Sequence, residues 1–565
     1  MSLPPANLES YKLTGSPQRV AEGWRRLFPV FVTRTDESWE IEIWWWRLLL
    51  SLVLAVSLGW LTATAGAFFF LKYQRGFTAA SYSDILLCFV PSRWEAFQVA
   101  RGDFFIKKAK DAAAEANSSK MREAYFNLTV GTHKSPANKD GILLLAEFHV
   151  ITRRPDLARM DLLRGLKYHS DDLKYLGAVF SFLLQQQMDE VVKAQADRLL
   201  PATPVINERN QLIALAKAQA LFFRGNYDQA EDVIRSYELN NSRSALLLKV
   251  RIEWERGEHA TALDHLREIG KVLKNDAEIY HLTVNWLREL GRQEEARLES
   301  RYRQTTDPQN PYPRIDLLYG LKKEGNETAL REAIDSLLRD FANNDAALLA
   351  LSDYAANAGD FPLARDIYRH CKEDPAGHLN WEYPALMQIE AHIVAKNYRA
   401  ARDLADLLLA ANPSWKERYA AVLSGLMAIA AFGLGDEAVG RLALKDFVAQ
   451  PGLRAENLLA VSRRLMDIGV RADARTVLAK AMQADPLSQP ALTQLVALDL
   501  ELNNTDALAT NIVSLAKMRK PDPKVLQAAL DKLGGDLFLF RTDRTELLQQ
   551  VRAALDPQGG HPPKT

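Results

Sequence analysis

Ten histidines and two cysteines are the residues of this 565-residue chain best suited to metal or nucleophilic chemistry, and their spacing serves neither. His259 and His265 stand six apart, which keeps them off a common helical face. No HExxH, no CxxC pair and no zinc-ligand spacing occurs. Gly433, Gly435 and Gly440 lack the following Gly-Lys-Ser/Thr of a phosphate loop, and no GxSxG elbow is present. Arg101-Gly102-Asp103 spells an adhesion tripeptide but opens a predicted helix, and pairs such as Glu294-Glu295 read as solvated helix faces. The expectation is a chain with no catalytic, cofactor-binding or metal residues, which is not an enzyme.

Composition narrows the reading further. The chain carries 71 basic and 71 acidic residues, so no global charge bias draws it to nucleic acid. Two cysteines cannot build a disulfide framework. Cys371 falls at a packing position, where a buried, inert thiol is expected. Cys88 lies in the apolar piece ILLCFV, which is too short to span a membrane and is expected to pack or rest at its surface.

The elements that dominate the chain are set by a 34-residue beat. Ala124, Ala158 and Val192 follow one another at that interval. So do Ala262, Ala296, Leu330 and Ala364, and again Gly440, Ala474 and Leu508, with Ala230 and Ala401 in the same series. Each anchor is followed on one helical face by further small or apolar residues: Leu128 and Gly131, Leu162 and Gly165, Ala405 and Leu408, Leu478 and Ala481. Pro136, Pro413 and Pro486 stop their helices twelve residues after the anchor. Five residues before several anchors comes a turn glycine: Gly225, Gly257, Gly291, Gly359 and Gly469. The unit reads helix, short turn, helix, stop.

This order of small and proline positions over 34 residues resembles the tetratricopeptide repeat. The resemblance covers about residues 100–517. It departs from the family at the first-helix aromatics, which are mostly absent, and at Lys217 and Lys249, where the family usually has apolar residues. The resemblance implies an all-α chain with a right-handed superhelical solenoid of about twelve hairpins and a surface for holding proteins or peptides. The first helices of such units line the concave side. There Arg251, Asn285, Tyr319 and Asp353 recur at 34, as do Trp254, Arg288 and Lys322, forming a candidate groove for an acidic or carboxylate-bearing peptide.

Ahead of the repeats, residues 48–71 contain no charge and are flanked by Arg47 and Lys72. At about 1.5 Å per residue the run can cross a hydrocarbon core of about 30 Å. Trp44, Trp45 and Trp46 mark one end, and Phe68, Phe69, Phe70 and Tyr73 the other, as interfacial belts would. Its late start argues against a cleaved signal peptide. Ser51, Ala55, Gly59, Ala63 and Ala67 form a small-residue stripe suited to pairing with a second copy or another membrane protein. Six basic residues precede the helix, which favours a cytoplasmic N-terminus and periplasmic repeats at a bacterial inner membrane, although the residues after the helix are basic too.

The expected organisation is therefore a weakly structured tail over 1–43 with a short helix, and a transmembrane helix over 44–73. A juxtamembrane linker or helix follows over 74–99, then a solenoid over 100–519. Capping helices over 520–556 and a disordered tail over 557–565 complete the chain. The expected function is a single-pass membrane scaffold in the assembly of an envelope, secretion or polysaccharide-export complex, with the lipid bilayer and other proteins as partners. A cytosol-facing client or import receptor, or the regulatory subunit of an enzyme, are the alternatives.

Overall fold

A computed structural model describes residues 12–14, 30–34, 39–115, 118–274, 276–374, 377–410 and 415–555. The expected disordered tail over 557–565 lies outside them. The chain divides into two units, Met1–Val179 and Phe180–Thr565.

The first unit opens with a departure from expectation. The described residues of the N-terminal stretch, where a weakly structured tail is expected, are strands: β1 (Lys12–Thr14), β2 (Val30–Arg34) and β3 (Trp39–Ile43). β3 is central, antiparallel to β2 and parallel to β1. Trp39, Ile41 and Ile43 alternate with Glu40 and Glu42, and that period of two favours a strand. Helix α1 (Trp45–Phe69) follows and runs on as a π turn over Phe70–Gln74. α2 is Tyr82–Leu86. α3 begins at Pro91, inside the stretch expected as a juxtamembrane linker or helix, because extended Val90 followed by proline at the first helical position is a strong start signal. α3 (Pro91–Ala114) and α4 (Ser118–Lys134) form the first hairpin, and α5 (Lys139–Ile151) and α6 (Pro155–His169) the second.

Hairpins continue through the rest of the chain. They are α7 (Leu173–Gln185) with α8 (Asp189–Leu199), α9 (Glu208–Phe223) with α10 (Tyr227–Ser236), and α11 (Arg243–Glu255) with α12 (His259–Val272). Then come α13 (Ala277–Glu289) with α14 (Gln293–Thr306), α15 (Tyr312–Lys323) with α16 (Glu327–Asp340), and α17 (Asp345–Ala358) with α18 (Phe361–Lys372). The series ends with α19 (Glu382–Val394) and α20 (Tyr398–Ala410), α21 (Ala420–Gly433) and α22 (Glu437–Ala449), α23 (Ala455–Ile468) and α24 (Arg471–Ala484), and α25 (Gln489–Leu502) and α26 (Thr505–Ala516). A last pair, α27 (Pro523–Gly534) and α28 (Arg544–Leu555), covers Leu508, Ile512 and Leu515 of α26 and so caps the array.

The 34-residue anchors are the contact points between helices. Ala124, Ala158, Val192, Ala230, Ala262, Ala401, Ala474 and Leu508 are fully buried, and Ala296, Leu330, Ala364 and Gly440 are buried with them. Five residues before each anchor from Ala158 onward, one residue adopts a left-handed conformation. Gly225, Gly257, Gly291, Gly325, Gly359, Gly435 and Gly469 do so, and Arg153, Gln187, Lys396 and Asn503 do so without glycine's freedom. The N–H that follows reaches back to the carbonyl five residues upstream at every one of these turns, as in Arg292 N to Leu287 O at 2.8 Å and Asp360 N to Ala355 O at 2.8 Å. This is the Schellman closure, which satisfies the last carbonyls of the first helix and aims the second. Side chains of Asn326, Asp360 and Asp436 then cap the second helix.

The departures at Lys217 and Lys249 are local. Ala214, Ala218, Leu248 and Ile252 supply the buried face there, while Lys217 pairs with Asp197 at 2.6 Å and Lys249 is exposed.

Two glycine substitutions separate backbone strain from crowding. A Cβ at Gly291 would meet nothing within 4 Å, so Gly291→Ala is expected to cost about 1–2 kcal/mol through its positive φ alone. At Gly165 the φ is helical, but a Cβ would lie 1.9 Å from the Tyr175 hydroxyl, which donates to Leu162 O. Gly165→Ala is expected to cost about 1–3 kcal/mol by overpacking. Denaturant midpoints check both, and Tyr175→Phe in the Gly165→Ala background is expected to recover part of the second loss.

Candidate protein-interaction surface

The residues spaced at 34 on the first helices lie on neighbouring helices and mostly touch one another. Arg251 on α11 pairs with Glu278 on α13 at 2.7 Å, and Arg243 holds the same carboxylate at 2.7 Å. Trp254 stacks on Trp286 of α13 with ring centres 4.3 Å apart and planes within 5°. Arg288 donates to Asp316 O on α15 at 3.3 Å. Tyr319 meets Tyr354 of α17 edge-on at 4.9 Å, and the Lys322 ammonium donates to Ala358 O. Asp353 accepts from the Tyr383 hydroxyl on α19. Side chains in equivalent positions thus form a ladder from α11 to α19. Asn285 and Tyr319 are exposed, Arg251, Trp254, Arg288 and Lys322 are half-buried or committed to a rung, and Asp353 is buried enough to feel the low dielectric.

That ladder changes what the surface can do. An arginine already sharing Glu278 is a weaker trap for an incoming carboxylate than a bare one, because the resident partner must be displaced. The positive heads instead hold successive first helices in register, and Asn285 and His281 are left facing solvent between the rungs. A cavity of about 120 Å³ opens at one end, bounded by Phe222, Phe223, Arg243, Leu247, Arg251 and Glu278.

A second constellation escaped the sequence. Asp189, at the start of α8, is 1% exposed. Its carboxylate pairs with Arg224 at 2.9 Å and takes two bonds from Arg519, one at 3.0 Å. Arg519 also donates to Leu184 O at 2.8 Å and lies 3.8 Å over the Phe223 ring. Lys520 sits 4.1 Å over Phe222 and pairs with Glu255 at 2.7 Å. Arg224 donates to Lys517 O at 3.0 Å. The stretch after α26 is therefore clasped onto the turns that follow α7 and α9, 330 residues away in sequence between Asp189 and Arg519. Beside the clasp lies an open groove of about 660 Å³ lined by Phe223, Tyr227, Glu255, Lys517, Lys520 and Pro521, of a size that ligand sites commonly have. Nothing local marks Asp189 for this role: it reads as an ordinary acidic residue in a helix first turn.

Of the two cysteines, Cys371 is buried, and burial pushes its thiol up to about 11, so it packs and does not react. In α1 the small-residue stripe is only partly realised as a surface. Ala55, Gly59, Ala63 and Ala67 are exposed and Gly59 has nothing within 4 Å, while the Ser51 hydroxyl is turned back to Leu48 O at 2.9 Å.

No protein-family profile and no curated protein matches this chain. Among solved structures it is similar to the Cut9–Hcn1 heterotetramer of the APC/C, at 12% identity over 80% of this chain and 96% of that one, with a TM-score of 0.23. It is similar to Naa15/Naa10 bound to HypK-THB, at 16% identity over 89% and 79%, with a TM-score of 0.29. A tetratricopeptide repeat protein from Parabacteroides merdae is similar at 14% identity over 45% and 96%, with a TM-score of 0.27.

Two outcomes test the site. Replacing Asp189 with alanine leaves Arg224 and Arg519 without their shared carboxylate, at an expected cost of about 3–5 kcal/mol. Hydrogen exchange should then quicken together at residues 184–189 and 515–520, and a purely local change would refute the clasp. Burial raises the Asp353 carboxyl above its ordinary value, against the opposing pull of the Tyr383 hydroxyl. The folded state therefore holds that proton more tightly than the unfolded one, and the stability it contributes fades as pH rises through the folded pKa. Asp353→Asn keeps an acceptor for Tyr383, so it should raise the melting temperature at pH 7.5 and lose that advantage below pH ~3.8.

Paired helices, most of the hairpins closed by one left-handed residue five positions before a buried small or aliphatic side chain, order the described residues from Pro91 to Leu555 as tetratricopeptide-like helical hairpins.

Proposed function

We propose that the chain is a membrane-tethered scaffold that holds other proteins or peptides along the first-helix face of its hairpins and acts by binding, without turnover. The observation that carries the tether is the surface of α1. Leu49, Leu50, Leu52, Leu54, Val56 and Leu58 are each more than half exposed, so the described residues supply little cover for them. A soluble core helix would bury these residues, and an exposed row of this size calls for lipid. The hydroxyls of Ser51, Thr62 and Thr64 all return to carbonyls of the same helix, as a hydrocarbon surrounding demands.

Binding is supported by the exposed Asn285 between the rigid rungs of the ladder and by the groove beside Lys517 and Lys520. Tethering would raise the local concentration of weak contacts and turn them into avidity. The reading extends to the assembly of an envelope, secretion or polysaccharide-export complex, with the N-terminus in the cytoplasm and the repeats in the periplasm, supported by Lys12, Arg19, Arg25, Arg26, Arg34 and Arg47 ahead of the helix.

The full chain is expected to stay with membranes through an alkaline carbonate wash. A photo-crosslinking residue at position 285 should capture a discrete partner in those membranes. The same residue at Leu298, which is 61% exposed on α14, should not. Release into the wash would remove the tether, and equal capture from both positions would remove the first-helix face as the binding surface.

A further inference from the structure

We propose that the segment from Ser81 to Phe97 is a lipid-surface paddle that inserts Phe89 and Trp94 into the bilayer interface beside Trp60, so that the hydrocarbon span of α1 runs from Trp45 to about Leu61, roughly 25 Å with Arg47 snorkelling to the headgroups, and does not reach Lys72. The inference rests on the membrane-anchor reading above and adds where the membrane boundary lies and which residues meet it.

The chain leaves the π turn after α1 and folds straight back along it. Phe77 N donates to Leu71 O at 2.9 Å. Tyr82 then meets Phe68 edge-on at 5.8 Å, and its hydroxyl reaches Thr64 at 3.4 Å. Further on, the Trp60 indole N–H donates to Leu86 O at 3.0 Å, and Phe89 approaches the Trp60 ring at 6.4 Å. At about 1.5 Å per residue, Trp60 lies roughly 18 Å along the helix from Lys72. The returning segment therefore reaches the middle of the uncharged run. α3 then travels back toward the other end, where Phe97 and Phe104 pack on Phe77.

A boundary at Lys72 would place this whole hairpin inside hydrocarbon. Its charges forbid that. Asp84 pairs with Arg93 at 3.4 Å, yet the Arg93 side chain is 53% exposed, and Glu95 is exposed beside it. Exposed charges of this kind cost several kcal/mol at bilayer depth but are at home among headgroups. The apolar side chains give the complementary limit. Phe89 is 70% exposed and Trp94 45% exposed, with Val99 at 43%, and Asp84 is the only charge between Gly76 and Ser92. Tyr82 and Trp94, each with one polar edge, beside the apolar Phe89 and paired charges, are the composition of an interfacial belt. A level through Trp60, Phe89 and Trp94 satisfies both limits. Above it the second half of α1 is clothed on one side by Phe77, Ile85 and Phe97 instead of lipid. Below it Trp45 to Trp60 remains bare.

Spin labels placed singly in the full chain, in a Cys88→Ala/Cys371→Ala background and in phospholipid bilayers, test this through their relative collision rates with oxygen and a water-soluble nickel chelate. Phe89→Cys is expected to report a depth of roughly 5–10 Å below the phosphates. Leu54→Cys should report the bilayer centre, and Leu298→Cys should report water. Phe89→Cys behaving like Leu298→Cys while Leu54→Cys stays deep would overturn the paddle and leave the anchor standing. Phe89→Cys as deep as Leu54→Cys would overturn the proposed boundary. A water-exposed Leu54→Cys would sink both. If Phe89→Cys does not fold, the native Cys88 labelled in Cys371→Ala gives the same reading one residue away.

Discussion

From α5–α6 to α25–α26, each hairpin turns on one backbone residue in the left-handed region, placed five positions before a buried small or aliphatic side chain. The conformation ends the first helix and returns its last carbonyls to the chain. It also fixes the angle at which the second helix departs. The small anchor then sits where two helix axes cross. A bulkier residue there would push the axes apart, and an error in one crossing would be inherited by every later unit. The ladder of Arg251, Trp254, Arg288, Tyr319 and Lys322 exists only because these turns repeat without drift.

The price of that ladder falls on recognition. Charged and aromatic residues in rows are commonly taken as hands held out to a partner. Here Glu278, Trp286, Asp316 and Tyr354 already grasp them. Stiffness along the first helices lowers the entropy lost when a partner lies across them. The polar contacts themselves then come from fewer residues, Asn285 foremost.

The repeat was legible because burial at a fixed period leaves its mark in side-chain size. Every anchor chosen by spacing is buried. Glycine turns were equally plain, and Asn503 is a residue that favours the left-handed form, but Arg153, Gln187 and Lys396 take it without any compositional sign, the strain being offset by neighbouring contacts. The rows at 34 lie on α11, α13, α15 and α17, whereas their partners were not visible in the sequence: Arg288 bonds a backbone carbonyl, which every residue offers. The strands over residues 30–43 were hidden by their shortness next to a long apolar run. The fold-back onto Trp60 was hidden because ILLCFV carries no periodicity that says where it turns.

The link between Asp189 and Arg519 has a mechanical meaning. An open array of hairpins behaves as a spring: it stretches, unwinds and frays unit by unit from either tip. Joining two distant coils removes the free tip between them. The second unit should then resist stretching, yield all at once when it yields, and meet its guests with a curvature already decided.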